Sequence, residues 1–265
     1  MIVTITFLAT SSLYALAGAL YLVFAARGVD EIGRWATGLL GAAVLAHLAF
    51  LGADYAVAGN LPTADIRQML AVTSLLIAIG YLGALRRYRL SVLGAFITPV
   101  TLLLFLGAGF QRNVAAVPDD LRTVLLPVHV GVNILGIVAF ALAFAVALAY
   151  IIQERLLRKK QLGGLFQRLP PLDVLDSLAF RLVTIGFPLL TVGIVTGAIV
   201  AARLGEAGLN ASRLTAMLAW LFFAAVLFLR VLAGWRGRRA AIGTMLGFAC
   251  AVLVLLGYVI RAEAL

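Results

Sequence analysis

His47 and His129 are the only two histidines among the 265 residues, and both lie inside long apolar runs. An ionisable side chain at membrane depth is costly and therefore a functional candidate. Little else in the chain could do chemistry. Cys250 is the single cysteine and sits in an apolar run, which leaves no CxxC pair, no disulfide framework and no thiolate site. No pair of carboxylates shares the interior of an apolar run, no Ser/His/Asp set is present, and the phosphate-cradling glycine motifs are absent, so hydrolase and nucleotide-driven pump readings have no residues to stand on. Two membrane imidazoles without cysteine or acid suit an iron held in a porphyrin better than a bare ion, since tetrahedral zinc asks for further ligands. The spacing thus predicts haem b held axially by His47, His129 or both, at one shared iron or at two separate sites. Arg122 lies two helical turns ahead of His129 on the same face, about 10 Å away, where it could meet a haem propionate. Asn133, at i+4, could hold the imidazole or a partner backbone group. The plainer alternatives are a histidine that hydrogen-bonds across a helix interface and an arginine that anchors at the membrane surface.

The elements that must position these residues are membrane helices. The composition is 64% hydrophobic and 12% charged, with a mean hydropathy of +1.11, against about 45–50% apolar and about 25% charged for soluble domains. A water-soluble fold is excluded. At about 20 residues per span, eight transmembrane helices are predicted: Ile2 to Ala26, Ala36 to Ala58, Ile66 to Leu85, Leu90 to Gly109, Val124 to Ile152, Leu182 to Ala202, Leu214 to Ala233 and Ala241 to Ile260. No basic stretch precedes the first run and no cleavage pattern follows it, so it is expected to stay in the bilayer. The fold class is all-α, a polytopic protein of one transmembrane domain over residues 1–265.

Loops after the first, third, fifth and seventh spans concentrate the positive charge, including Arg27, Arg34, Arg86, Arg87, Arg155, Arg158, Lys159, Lys160, Arg236, Arg238 and Arg239. The opposite side carries fewer basic residues, nearly matched by Asp54, Asp65, Asp119, Asp120, Glu206 and Glu263. Short basic loops stay in the cytoplasm, so both termini are predicted to face outward, from a bacterial cytoplasmic membrane. The net charge of +10 is then topological, and no nucleic-acid partner is expected. Residues 153–181 form the longest cytoplasmic connection, basic at its start and amphipathic beyond, read as a short interfacial helix or as a docking surface for a soluble partner. Gly193 and Gly197 make a GxxxG step that lets helices approach closely. Pro99 and Pro188 are expected to kink their spans, Trp35 and Trp235 to sit at the interface, and Trp220 to pack.

The order of these features resembles the cytochrome c assembly protein family, the CcsA/CcmC/HemX-type membrane proteins that handle haem. The matching strings are AHLAFLGADYAVAGNLPTADIRQML around His47, PVHVGVNILGIVAFALAFAVALAYIIQERLLRKK from Pro127 with His129, then RLPPLDVLD, GFPLLTVGIVTGAIVA and GWRGRRAAIGTMLGFA. The family's tryptophan-rich WxWD-type segment is replaced by ARLGEAGLNASRLTAMLAW, and two of four family histidines have counterparts, one of the missing ones aligning with Phe228. That pattern resembles the HemX-like branch, linked in some bacteria to control of glutamyl-tRNA reductase. The resemblance implies a haem-binding, non-enzymatic membrane protein whose partners are haem, the lipid bilayer and cytochrome c maturation components. The alternative it implies is an interaction protein that regulates glutamyl-tRNA reductase through its cytoplasmic face. A secondary transporter, resting on Pro99 and Pro188, is the third reading.

Overall fold

In lipid every backbone N–H and C=O must find its partner within the chain, and an apolar run of this length satisfies that only as a helix. The computed structural model describes residues 1–58, 66–88, 90–110, 125–203 and 211–263. Among them the elements are α1 (Ile2–Arg27), α2 (Asp30–Ala58), α3 (Ile66–Arg87), a 3-10 turn (Ser91–Leu93), α4 (Gly94–Phe110), α5 (Leu125–Arg158), α6 (Leu165–Arg168), α7 (Leu172–Arg203), α8 (Ala211–Ala233) and α9 (Arg238–Glu263). The described residues hold no strand. Among the described residues seven helices, α1 to α5 with α7 and α8, are long and apolar enough to cross a membrane. The eighth expected span falls on α9, which is not among those seven and whose side chains past residue 253 lie outside the described ones.

The packing order repeats. In the first half α1 lies on α2, α3 on α4, α1 on α4 and α2 on α3; in the second α5 lies on α7, α8 on α9, α5 on α9 and α7 on α8. The two four-helix units meet mainly through α3 and α5. No sequence repeat announces this, because lipid-facing and core positions are both apolar and many residue choices satisfy one backbone arrangement. Pro99 and Pro188 sit inside α4 and α7, each of which runs on past its proline as one helix. The interrupted helices that a transporter site would need are not formed at either position.

The core is lined by fully buried aromatics, among them Tyr14, Tyr21, Tyr81, Phe105, Phe140 and Phe223. Buried hydroxyls find partners: Tyr21 and Thr37 lie 3.0 Å apart, and Tyr81 donates to the Ser91 carbonyl at 3.1 Å. Phe140 of α5 stacks on Phe223 of α8 with ring centroids 3.7 Å apart. Trp220 packs as expected, with Phe187 beside it and its indole N–H donated to Thr191 at 3.0 Å. Apolar side chains such as Leu103 and Val231 face outward, as a lipid-facing surface requires.

Residues 153–181 differ from the expected interfacial helix. Arg155 and Arg158 belong to α5, α7 already begins at Leu172, and α6 between them is only Leu165–Arg168. This short turn fastens the two halves together. Arg168 donates to the Ala25 carbonyl at 2.7 Å, in the last turn of α1, and reaches at 3.4 Å that of Phe24, which also accepts the Gly28 N–H. Gly28 ends α1 in the left-handed conformation, φ 71°, and a side chain there would run into the Arg168 guanidinium. Leu169 is buried in the core.

A second fastening joins α7, α8 and the start of α9. Arg230 forms a bidentate pair with Asp176, at 2.9 and 2.8 Å, and its guanidinium lies 4.2 Å over the Phe180 ring. Asp176 also accepts the Gly237 backbone N–H at 2.9 Å, so the pair ties three helices at one level.

Candidate functional site

α5 carries His129 in its first turns and packs along α7, where Gly193 and Gly197 lie one turn apart. The GxxxG step is there for close approach, and what approaches is the site itself. A Cβ on Gly197 would lie 2.8 Å from His129 Cε1, and one on Gly193 would lie 2.5 Å from Asn133 Oδ1. The imidazole therefore occupies a cradle that only glycine leaves open.

Hydrogen bonds fix the ring in that cradle. His129 Nδ1 lies 3.0 Å from the Gly193 carbonyl and 3.0 Å from Thr196 Oγ1. A carbonyl only accepts, so Nδ1 carries the ring proton and Nε2 presents its lone pair. The Asn133 amide donates to the His129 carbonyl at 2.6 Å and lies 3.2 Å from Nδ1. Asn133 thus braces the turn that bears the ring, as its i+4 position implied. Arg122, the expected propionate partner, lies outside the described residues.

His47 is held differently. It is fully buried on α2, with Nδ1 3.1 Å from the Tyr14 hydroxyl of α1, and its Nε2 is buried with no hydrogen-bond partner. Around it stand Phe105 of α4, Tyr14 and Phe50, with ring centroids 4.3, 5.8 and 6.1 Å from the imidazole. Two turns along α2 toward its end, the buried Asp54 takes Arg67 and Gln68 of α3. The partners of His47 come from α1, α2 and α4, and those of His129 from α5 and α7. The described contacts give the two histidines separate surroundings, with no partner in common.

The two sites fit haem unequally. His129 has the donor chemistry of an axial ligand, with Nδ1–H fixed on a carbonyl and Nε2 free among the described residues. His47 offers an orphaned Nε2, but the rings of Phe105 and Phe50 would have to turn aside before a porphyrin could reach it. No three His, Cys, Asp or Glu side chains converge among the described residues, so the donors of a bare-ion site are not assembled there.

Sequence reasoning missed Tyr14, Thr196 and the Gly193 carbonyl. A hydroxyl within the GxxxG step, and a tyrosine at the middle of an apolar run, were the available signals. Neither specifies which neighbouring helix it meets.

The frame and its cradled imidazole define a polytopic helical membrane protein with built imidazole donors. A family model described as cytochrome c assembly protein matches residues 63–263, and the chain belongs to that family. His129 falls within the matched segment and His47 ahead of it. The cytochrome c biogenesis protein CcsA of Gloeothece citriformis (strain PCC 7424) is 26% identical over 276 residues, covering 84% of each chain. That of Prochlorococcus marinus (strain MIT 9215) is 26% identical over 234 residues, covering 77% of this chain and 74% of its own. That of Synechococcus sp. (strain JA-2-3B'a(2-13)) is 39% identical over 94 residues, 35% of this chain and 27% of its own.

Among solved structures the chain resembles the one titled Cytochrome c Heme Lyase CcmF, with a TM-score of 0.72 and 18% identity over 98% of this chain. The chain spans about half of that protein, 49% of its length. This likeness corrects the expectation of a non-enzymatic protein. The helical frame found here is one that a protein named as a lyase uses, so membership of this fold is no ground for excluding catalysis.

Proposed function

We propose that the chain handles haem in cytochrome c assembly and takes part in attaching it to a cytochrome, holding haem b through Nε2 of His129. One observation carries this reading: both membrane histidines have Nδ1 engaged across a helix pair and Nε2 without a partner among the described residues. A histidine acting only as structural glue needs the cross-helix bond alone. An axial ligand needs one nitrogen tethered and the other free.

His47 is a second and separate ligand, deeper in the first four-helix unit and opened when Phe105 moves. Arg122, seven residues ahead of His129 in the sequence, meets a propionate. Haem supplies the iron and the group that is attached. The chain supplies the oriented imidazole and the cradle formed with α7. Purified wild-type protein is expected to carry haem, and the double variant His47→Ala, His129→Ala to carry none. Haem content with an unaltered spectrum in the double variant would overturn the reading.

The proposed setting is a bacterial cytoplasmic membrane, crossed eight times with α9 as the last span and both termini outside. Reporter fusions at Arg87, Arg158 and Arg238 are expected to be inactive as periplasmic alkaline phosphatase, because basic loops beside spans resist translocation. Phosphatase activity at two of those positions would reverse the orientation.

A further inference from the structure

Thr196 lies on α7, 8% exposed, between the two glycines that cradle His129. Its hydroxyl has one proton, and the Val192 carbonyl one turn back is its nearest acceptor, at 2.7 Å. With the proton spent there, the oxygen's lone pairs are left for His129 Nδ1 at 3.0 Å. The Gly193 carbonyl stands at the same 3.0 Å from Nδ1, so a single ring proton is shared between two acceptors of α7. Asn133 adds no acceptor, because the end of its amide nearest Nδ1, at 3.2 Å, is the Nδ2 donor, which is directed at the His129 carbonyl.

A ligand imidazole becomes a stronger donor to its metal as the hydrogen bond from its other nitrogen strengthens. An acceptor pair at Nδ1–H therefore acts on whatever Nε2 holds. The pair belongs to α7, whereas the ligand belongs to α5.

We propose that Thr196 is a positioning residue that tunes His129: its hydroxyl, polarised by the Val192 carbonyl, fixes the Nδ1–H tautomer and strengthens Nε2 as a ligand of iron. This rests on the haem reading above and deepens it. It makes haem affinity and the iron's reduction potential depend on a side chain that touches neither the porphyrin nor the metal. Withdrawing an acceptor from Nδ1–H weakens the ligand's donation, which favours ferrous over ferric iron and raises the potential.

The test uses the full chain in detergent, haem-free and haem-loaded, with Thr196→Val and Thr196→Ser. Valine keeps the branched shape and removes the hydroxyl; serine keeps the hydroxyl. In the haem-free protein, imidazole nitrogen-15 resonances are assignable by deletion of either histidine, since the chain has two. The expected result for valine is a shift of the His129 Nδ1 resonance toward a weaker hydrogen bond, haem binding about 10-fold weaker and a higher midpoint potential. Serine restores all three. Wild-type resonance and potential in Thr196→Val, with the His129 share of the haem lost on His129→Ala, would overturn the tuning role and leave the haem reading standing. Full haem retention in His129→Ala with an unchanged spectrum would overturn both.

Discussion

Gly197→Ala is expected to lower haem affinity by about 10- to 100-fold, the range found when an outer-shell partner of a metal ligand is lost. The added methyl would lie 2.8 Å from His129 Cε1, and the ring cannot retreat without leaving the Gly193 carbonyl and Thr196 together. Gly193→Ala provides the contrast. There the methyl meets the amide end of Asn133, a side chain that can rotate away at the cost of its bond to the His129 carbonyl. Its effect is expected to be the smaller of the two. Haem titration of both variants checks the order, and equal loss from each would indicate that α7 as a whole has been displaced.

The second large effect concerns stability. Arg230→Ala leaves the half-buried Asp176 with only the Gly237 N–H for company, and the cost is expected to fall below the ~3–5 kcal/mol of a fully buried pair, because water reaches part of the carboxylate. The guanidinium also leaves the Phe180 ring. Because the pair ties α7, α8 and the start of α9, the expected result is a marked fall in the thermal midpoint in detergent. Replacing both partners by apolar residues of similar size is expected to recover much of it, since the uncompensated charge disappears with its partner. The His129 cradle stands on a different stretch of α7, so haem binding at low temperature should survive in either variant.

Much of the helical frame was legible in the sequence, because apolar length alone specifies a membrane helix. The helix ends were less so. Basic residues such as Arg155 and Arg158 read as loop by charge, yet helices continue past the apolar zone whenever the next residues are good helix formers. Of the site, the pairing of Asn133 with His129 was legible, since both lie on one helix at i, i+4. Gly193 and Gly197 announced a close approach without naming what would approach. Tyr14 and Thr196 were not legible as partners, because contacts between helices follow from packing and not from spacing along one chain. The same limit applies to the ligand question: two histidines in two spans do not say which helices each will face, and the contacts of Tyr14 with His47 and of α7 with His129 follow from packing alone.

The most direct test of His129 as an axial ligand is the visible absorption spectrum of haem-loaded His129→Gly, recorded with and without added imidazole. The side chain lies in a cradle, so its removal leaves room for a free imidazole of the same shape. The predicted result is loss of the His129 share of the histidine-ligated spectrum in the variant, the share held by His47 remaining, and return of the lost share on adding imidazole. A variant that keeps the wild-type spectrum without imidazole would contradict ligation of haem by His129.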